Sequence, residues 1–176
     1  MANQTWNFDP AHSEITFKVR HMMFSKVSGQ FEDWEGEFQF DPDDPSAMEA
    51  SADIAVSSIT TGNGDRDEHL RSEDFFDVEN HPTMRFESSD VEATGDGQFR
   101  LDGTLTIRDE SQPVTLDVEY HGKATDPWGN QRVGFTATTT LNRKEFGLTW
   151  NQALEAGGVL VGDKVEVELN LQAIQG

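Results

Sequence analysis

Between Asn63 and Phe86 the chain reads NGDRDEHLRSEDFFDVENHPTMRF, two histidines, three arginines and a run of carboxylates gathered around Phe75, Phe76 and Phe86. His69, Asp74, Asp77 and His81 are residue types that ligate divalent metals. The two histidines lack the i, i+4 spacing of the zinc-hydrolase motif, and Pro82 biases His81 toward extended backbone. The other account makes Asp65 to Arg71 a capped helical turn, with Asp65 as N-cap and Glu68 completing a capping box. On that account Leu70, Phe75 and Phe76 plug inward and the charges face water.

Other catalytic signatures are missing from the sequence. There is no cysteine, which excludes disulfides, thiolate nucleophiles and cysteine-based zinc sites. No G-x-S-x-G elbow, P-loop or dinucleotide fingerprint occurs; GNGDRD and GDGQFR lack the third glycine, and GDGQ reads as a hairpin turn. Ser57, Ser58 and His69 assemble only a notional dyad of the kind any chain this size permits. Neither a metal nor a catalytic residue is expected from these patterns.

The elements that would carry these residues are strands. In FRLDGTLTIR, Phe99, Leu101, Gly103, Leu105 and Ile107 alternate with polar neighbours, the two-residue period of a strand with one wet face. The same period runs through Ile15–Val19, Met48–Val56, Met84–Phe86, Val114–Tyr120, Val133–Leu141 and Val165–Leu171. From Val27 to Phe40 the parity slips, and one extra residue near Glu32-Asp33 repairs it, which predicts a β-bulge. With that segment counted as one bent strand, the total is eight. Turn chemistry separates the runs at DPDDPSA, ATGDG, RDESQP and DPWGN. We therefore expect an all-β chain of a single domain, 1–176, folded as one eight-stranded antiparallel barrel with a short helix in the Ser58–Pro82 connection. Closure removes the sheet edges; a two-sheet sandwich is the alternative.

An up-and-down order sends the long connections, Ser58–Pro82 and the one after Leu141, to a single rim, where function usually lies. The interior is either packed or hollow. Gly29, Gly103, Ala50, Ala52 and Ala137 are small inward residues that leave a cavity or sit opposite large ones, and patterning alone does not decide.

Thirteen Lys+Arg against 33 Asp+Glu give a net charge of −20, a surface that repels nucleic acid and anionic membranes as a whole. Such an acidic skin suits a salt-rich cytoplasm. MANQTWNFDPAHSEITF has no basic segment leading into an apolar run, and no window approaches a membrane span, so a cytoplasmic protein without stable membrane insertion is expected.

Five stretches in order, FDPAHSEITFKVRHMMFSKVSGQF, RDEHLRSEDFFDVENHPTMRF, LDGTLTIRDESQPVTLDVEY, DPWGNQRVGF and LNRKEFGLTWN, resemble the YceI-like family of polyisoprenoid-binding proteins over essentially the whole chain. The resemblance implies an extended lipocalin-like barrel holding a long-chain isoprenoid or similar amphiphilic lipid, of the quinone or prenyl-pyrophosphate type. Many relatives are exported to the periplasm, a setting the N-terminal reading does not predict here. The expectation is a non-catalytic carrier whose ligand is the lipid and which needs no other cofactor. Parity and aromatic size assign the tail to Phe17, Val19, Phe31, Phe38, Phe40, Phe86, Leu105, Phe135 and Trp150. The head falls to rim cations, Arg66, Arg71, Arg143 and Lys144. Two other readings stand beside it: a lyase or isomerase acting on a bound lipid, and a solid barrel whose rim binds a protein partner. The sequence leaves the oligomeric state, a homodimer included, open.

Overall fold

The computed structural model describes residues 4–22, 24–41, 44–151 and 160–175. Among them are strands β1 (Gln4–Phe8), β2 (Glu14–His21), β3 (Ser25–Phe31), β4 (Trp34–Asp41), β5 (Asp44–Ala55) and β6 (Ile59–Thr60). After helix α1 (Gly64–Arg71) come β7 (Thr83–Gly95), β8 (Gln98–Ile107), β9 (Glu110–Thr125), β10 (Gln131–Asn142) and β11 (Val161–Gln175). All pairings are antiparallel, each long strand lies beside its chain neighbour, and β11 closes the ring on β1 and β2.

Three of the staves are broken, one of them where β6 continues β5 past the 3-10 turn at Val56–Ser58 and pairs with β3. Strands β1 and β2 lie end to end along β11, with Trp6 opposite Gln175 and Ile15 opposite Leu169, separated by a 3-10 turn at Pro10–His12. Strands β3 and β4 are likewise end to end, pairing with β2 and β1 respectively. Their break falls at Glu32 and Asp33, where the parity slips; the Glu32 amide donates to the Ser58 carbonyl and the Asp33 carbonyl accepts from Ala55. Counting each broken stave once, the barrel has eight, as the alternation predicts. What the apolar pattern did not reveal is β1. Trp6 lies on it fully buried, its indole N–H donating to the Phe40 carbonyl at 3.1 Å.

The barrel is solid at one end and hollow at the other. Near the rim of short turns, Trp6, Phe38, Phe40, Met48, Phe99, Val133 and Phe135 pack into one cluster, with ring centroids 5.1–5.8 Å apart in the contacts among Phe38, Phe40, Tyr120 and Phe135. Toward the other rim the inward residues of β2 and β11, from Ile15 to Val19 and from Val165 to Leu169, are only partly buried although they face the lumen. The small inward residues contribute indirectly. A Cβ on Gly29 would fall 2.4 Å from Phe17 Cζ, and one on Gly103 would fall 2.6 Å from the Phe86 ring and the Glu87 carbonyl. Each glycine lets an aromatic ring of the neighbouring strand lie flat against the wall. Gly103 therefore faces a ring, and the space lies beyond that ring.

The solid end is fastened by Arg132, which reaches Asp126 at 2.7 Å and Asp9 at 2.8 Å. The Arg132 hydrogen bond, aided by the Asn130 and Trp128 amides, pulls the Asp126 carboxyl down to about 2, and Asp9 is lowered by the same arginine and then by His12. A carboxyl depressed on folding stabilises above its unfolded value and loses that contribution as pH falls through the folded one. Asp126→Asn should accordingly lower the melting temperature at neutral pH. The gap to the wild type should narrow between about pH 4 and about pH 2. Thermal denaturation across that window checks it; a gap constant down to the acid end would mean that Asp126 does not carry the ion pair.

Candidate functional site

The hollow end encloses a cavity of about 680 Å³, within the roughly 300–1,000 Å³ usual for small-molecule sites. Its walls are aliphatic and aromatic: Ile15, Phe17 and Val19 of β2, Val165 and Val167 of β11, and Met84, Phe86, Leu105 and Ile107 across the barrel. Exposed Arg20, Asn63 and Asp65 also belong to the lining, so the cavity reaches solvent between the end of β2 and helix α1. Beneath it lies a second, wholly apolar void of about 80 Å³, walled in part by Phe38, Met48 and Phe135. Ile15, Ala52, Phe86, Leu116 and Leu169 line both and form the floor between them.

Helix α1 and the segment after it roof the cavity. The expected Asp65–Glu68 capping box is replaced: the helix begins at Gly64 and its N-cap lies two residues before Asp65, at Asn63, which in extended conformation accepts from the Arg66 amide. Asparagine caps as well as aspartate, so position decided the matter. Buried Asp67 accepts from the Thr61 amide and hydroxyl at 2.8 and 2.5 Å. Leu70, Phe75 and Phe76 line the cavity from above, and Arg108 donates to the Phe75 carbonyl at 2.8 Å to hold that roof down. His69 bonds Asp74 at 2.9 Å and meets the Trp150 ring edge-on at 4.7 Å, joining the roof to the chain after β10. His81 instead contacts Asp109 at 3.2 Å. The four residues weighed as metal ligands thus separate into different pairs, and among the described residues no three of His, Cys, Asp and Glu converge as a metal site.

The cations expected at the rim divide by position. Arg66 lines the cavity, held by Nε to the Thr61 hydroxyl at 2.8 Å and Nη2 to the Thr61 carbonyl at 3.1 Å. Arg143 lines it too, 4 % exposed, and its guanidinium donates to the carbonyls of Leu148, Trp150, Val161 and Gly162. Burial pulls its pKa below the ordinary arginine value, and the Asp163 carboxylate opposes this. Arg71 does not reach the cavity. It lies on the far flank of α1 and donates to the Ser57 and Ile59 carbonyls, pinning the helix to the strand before it. Lys144, next to the buried Arg143, points outward to Asp163 at 3.4 Å.

The expected tail contacts divide similarly. Phe17, Val19, Phe31, Phe86, Leu105 and Trp150 line the large cavity. Phe38 and Phe135 line only the small void, and Phe40 lines neither, because all three belong to the solid end. Strand parity could not separate the two ends, since an inward residue of either has the same period. Sequence reasoning also passed over Ile59, Phe146 and Leu148, which sit in connections read as loops. Phe146 and Leu148 alternate within RKEFGLTW, a signal too short to count as a strand. Residues 152–159 of that connection lie outside the described residues.

The comparisons agree with this architecture. A UPF0312 protein of Staphylococcus epidermidis is 40% identical over 168 residues, 95% of each chain. The crystal structure of Burkholderia cenocepacia BcnA superposes with a TM-score of 0.82 at 22% identity, over 94% of this chain and 98% of that one. A polyisoprenoid-binding domain from Saccharophagus degradans, implicated in plant cell wall breakdown, superposes with a TM-score of 0.70 at 13% identity, over 98% and 99% of the two chains. Residues 6–173, from the buried Trp6 of β1 to the buried Ala173 that closes the ring on it, match the YceI-like domain, and the chain belongs to that family.

Proposed function

We propose that the protein binds a long-chain isoprenoid or comparable amphiphilic lipid, without transforming it, by taking the tail into the 680 Å³ cavity. The observation that carries this reading is the cavity itself: apolar along most of its walls, floored by Phe86 and Leu116, with Arg20, Asp65 and Arg66 toward its opening. Family membership and the polyisoprenoid-binding neighbour support it. A prenyl tail needs no directional partner, and each buried CH₂-sized group contributes up to about 0.8 kcal/mol. Organic extraction and native mass spectrometry of the purified protein test the reading. A prenyl lipid released unchanged supports it, and a cavity that neither retains nor takes up such lipids counts against it.

The head group, of the pyrophosphate or quinone type, falls to the opening, where Arg66 presents a planar fork suited to phosphate oxygens. Replacing Arg66 and Arg71 together would mix two roles, because Arg71 serves backbone carbonyls outside the cavity. Arg66→Gln alone should weaken a prenyl pyrophosphate about tenfold, the scale of one charge-assisted hydrogen bond, and leave a neutral quinone unchanged. Titration with both ligands checks it, and equal losses would remove Arg66 from head recognition.

A further inference from the structure

We infer that the tip of the β2–β3 hairpin is a membrane-docking element, which seats the opening of the cavity on an anionic phospholipid surface. Of the described residues the most exposed large apolar side chain is Phe24, at 88%, and Met22 beside it is also exposed. Both occupy the hairpin tip, and the stem residues Val19, Arg20, His21 and Val27 line the cavity. The tip therefore stands at the opening.

The occupant follows from charge. In a chain with 33 acidic residues, none occurs from Ile15 to Phe31, whereas Lys18, Arg20 and Lys26 do. The nearest carboxylates of β11 are already matched, Glu166 with Lys26 at 2.8 Å and Asp163 with Lys144 at 3.4 Å. An exposed aromatic flanked by cations is the chemistry of an interfacial anchor on anionic lipid. Backbone strain points the same way. Met22 has a φ of 53°, in the left-handed region where glycine or asparagine costs less, so an apolar side chain occupies a position conformation alone would give to another residue. The net charge of −20 acts against adhesion of every other face. Screening confines attraction and repulsion to about 10 Å at ordinary ionic strength, so the hairpin tip decides contact and sets its orientation.

Placing lipid exchange at this contact rests on the cavity holding lipid; the docking itself does not. The test is flotation of the intact protein with vesicles of phosphatidylcholine alone and of phosphatidylcholine with phosphatidylglycerol. The protein should float with the anionic vesicles and be released at about 1 M salt, where the screening length falls to about 3 Å. Phe24→Ser should reduce binding about tenfold or more. Trp128→Ser removes a side chain 80% exposed at the opposite rim and should leave binding as in the wild type. Absence of flotation with anionic vesicles, undiminished flotation of Phe24→Ser, or loss in Trp128→Ser would overturn the proposal. Lipid recovered by extraction from Phe24→Ser should match the wild type, so a failure of docking and a failure of cavity binding give different results.

Discussion

Val167→Trp should leave the barrel folded and strip it of co-purified lipid. Val167 lies on β11 opposite Phe17, faces the lumen, lines the 680 Å³ cavity and is only partly buried. An indole there extends into open space and avoids the cost, about 1–3 kcal/mol, of forcing extra atoms into a packed core. Circular dichroism and the melting temperature should therefore stay close to the wild type, while lipid recovered by extraction falls at least tenfold. Gly103→Phe is the opposite case. The position where its Cβ would go is 2.6 Å from the Phe86 ring and from the Glu87 carbonyl, and backbone cannot move aside as a side chain can. That variant should fail to fold or melt far below the wild type. A folded Val167→Trp protein that keeps its full complement of lipid would locate the ligand outside this cavity and remove the basis of the proposed function.

The contrast between these two positions also shows what the sequence can convey. Strand period, turn residues and the slip at Glu32-Asp33 gave the eight staves and sorted the long connections to one rim, because these are local properties of the chain. Whether a small inward residue borders a void is not local. Gly29 and Gly103 are small because Phe17 and Phe86 from the adjacent strands lie over them, and that depends on cross-strand register, direct for Phe17 with Gly29 and diagonal for Phe86 with Gly103, which no single strand encodes. Phe38, Phe40 and Phe135 likewise face inward on their strands as Phe17 and Phe31 do, yet they pack against one another near the short turns. Depth along the barrel axis, which separates cavity lining from solid core, emerges only once register and closure are fixed. The first strand was missed for a related reason: Gln4–Phe8 is held by Trp6, whose partners Phe40 and Phe38 are more than thirty residues away.

The cations illustrate the same limit in electrostatic form. Arg66, Arg71, Arg143 and Lys144 are equivalent by position in the sequence, all on the rim connections. Their partners make them different: Thr61 for the first, two backbone carbonyls for the second, four for the third, and a surface carboxylate for the last.

Arg143→Leu should destabilise the protein by about 3 kcal/mol or more, a fall in melting temperature of roughly 6–12 °C for a chain of this size. The guanidinium donates to the Leu148 carbonyl at 2.5 Å, to Gly162 and Trp150 at 2.9 Å and to Val161 at 3.3 Å, so it joins the chain before residue 152 to the start of β11. Asn151 makes the same link, accepting from the Val161 amide at 3.0 Å and donating to its carbonyl at 2.7 Å. Loss of the arginine leaves those carbonyls facing an apolar wall with less to replace water, and each stranded acceptor costs about 1–3 kcal/mol, offset in part by no longer burying a cation. Arg143→Lys should recover less than half of the loss, since an ammonium is a point donor and cannot span four acceptors in a planar fork. Thermal melts of the two variants, compared with lipid recovery, separate clamp from head-group donor. A clamp loses stability and lipid together, in the order Arg, Lys, Leu. A donor to the lipid head would lose lipid at an unchanged melting temperature, and lysine would substitute for most of its charge.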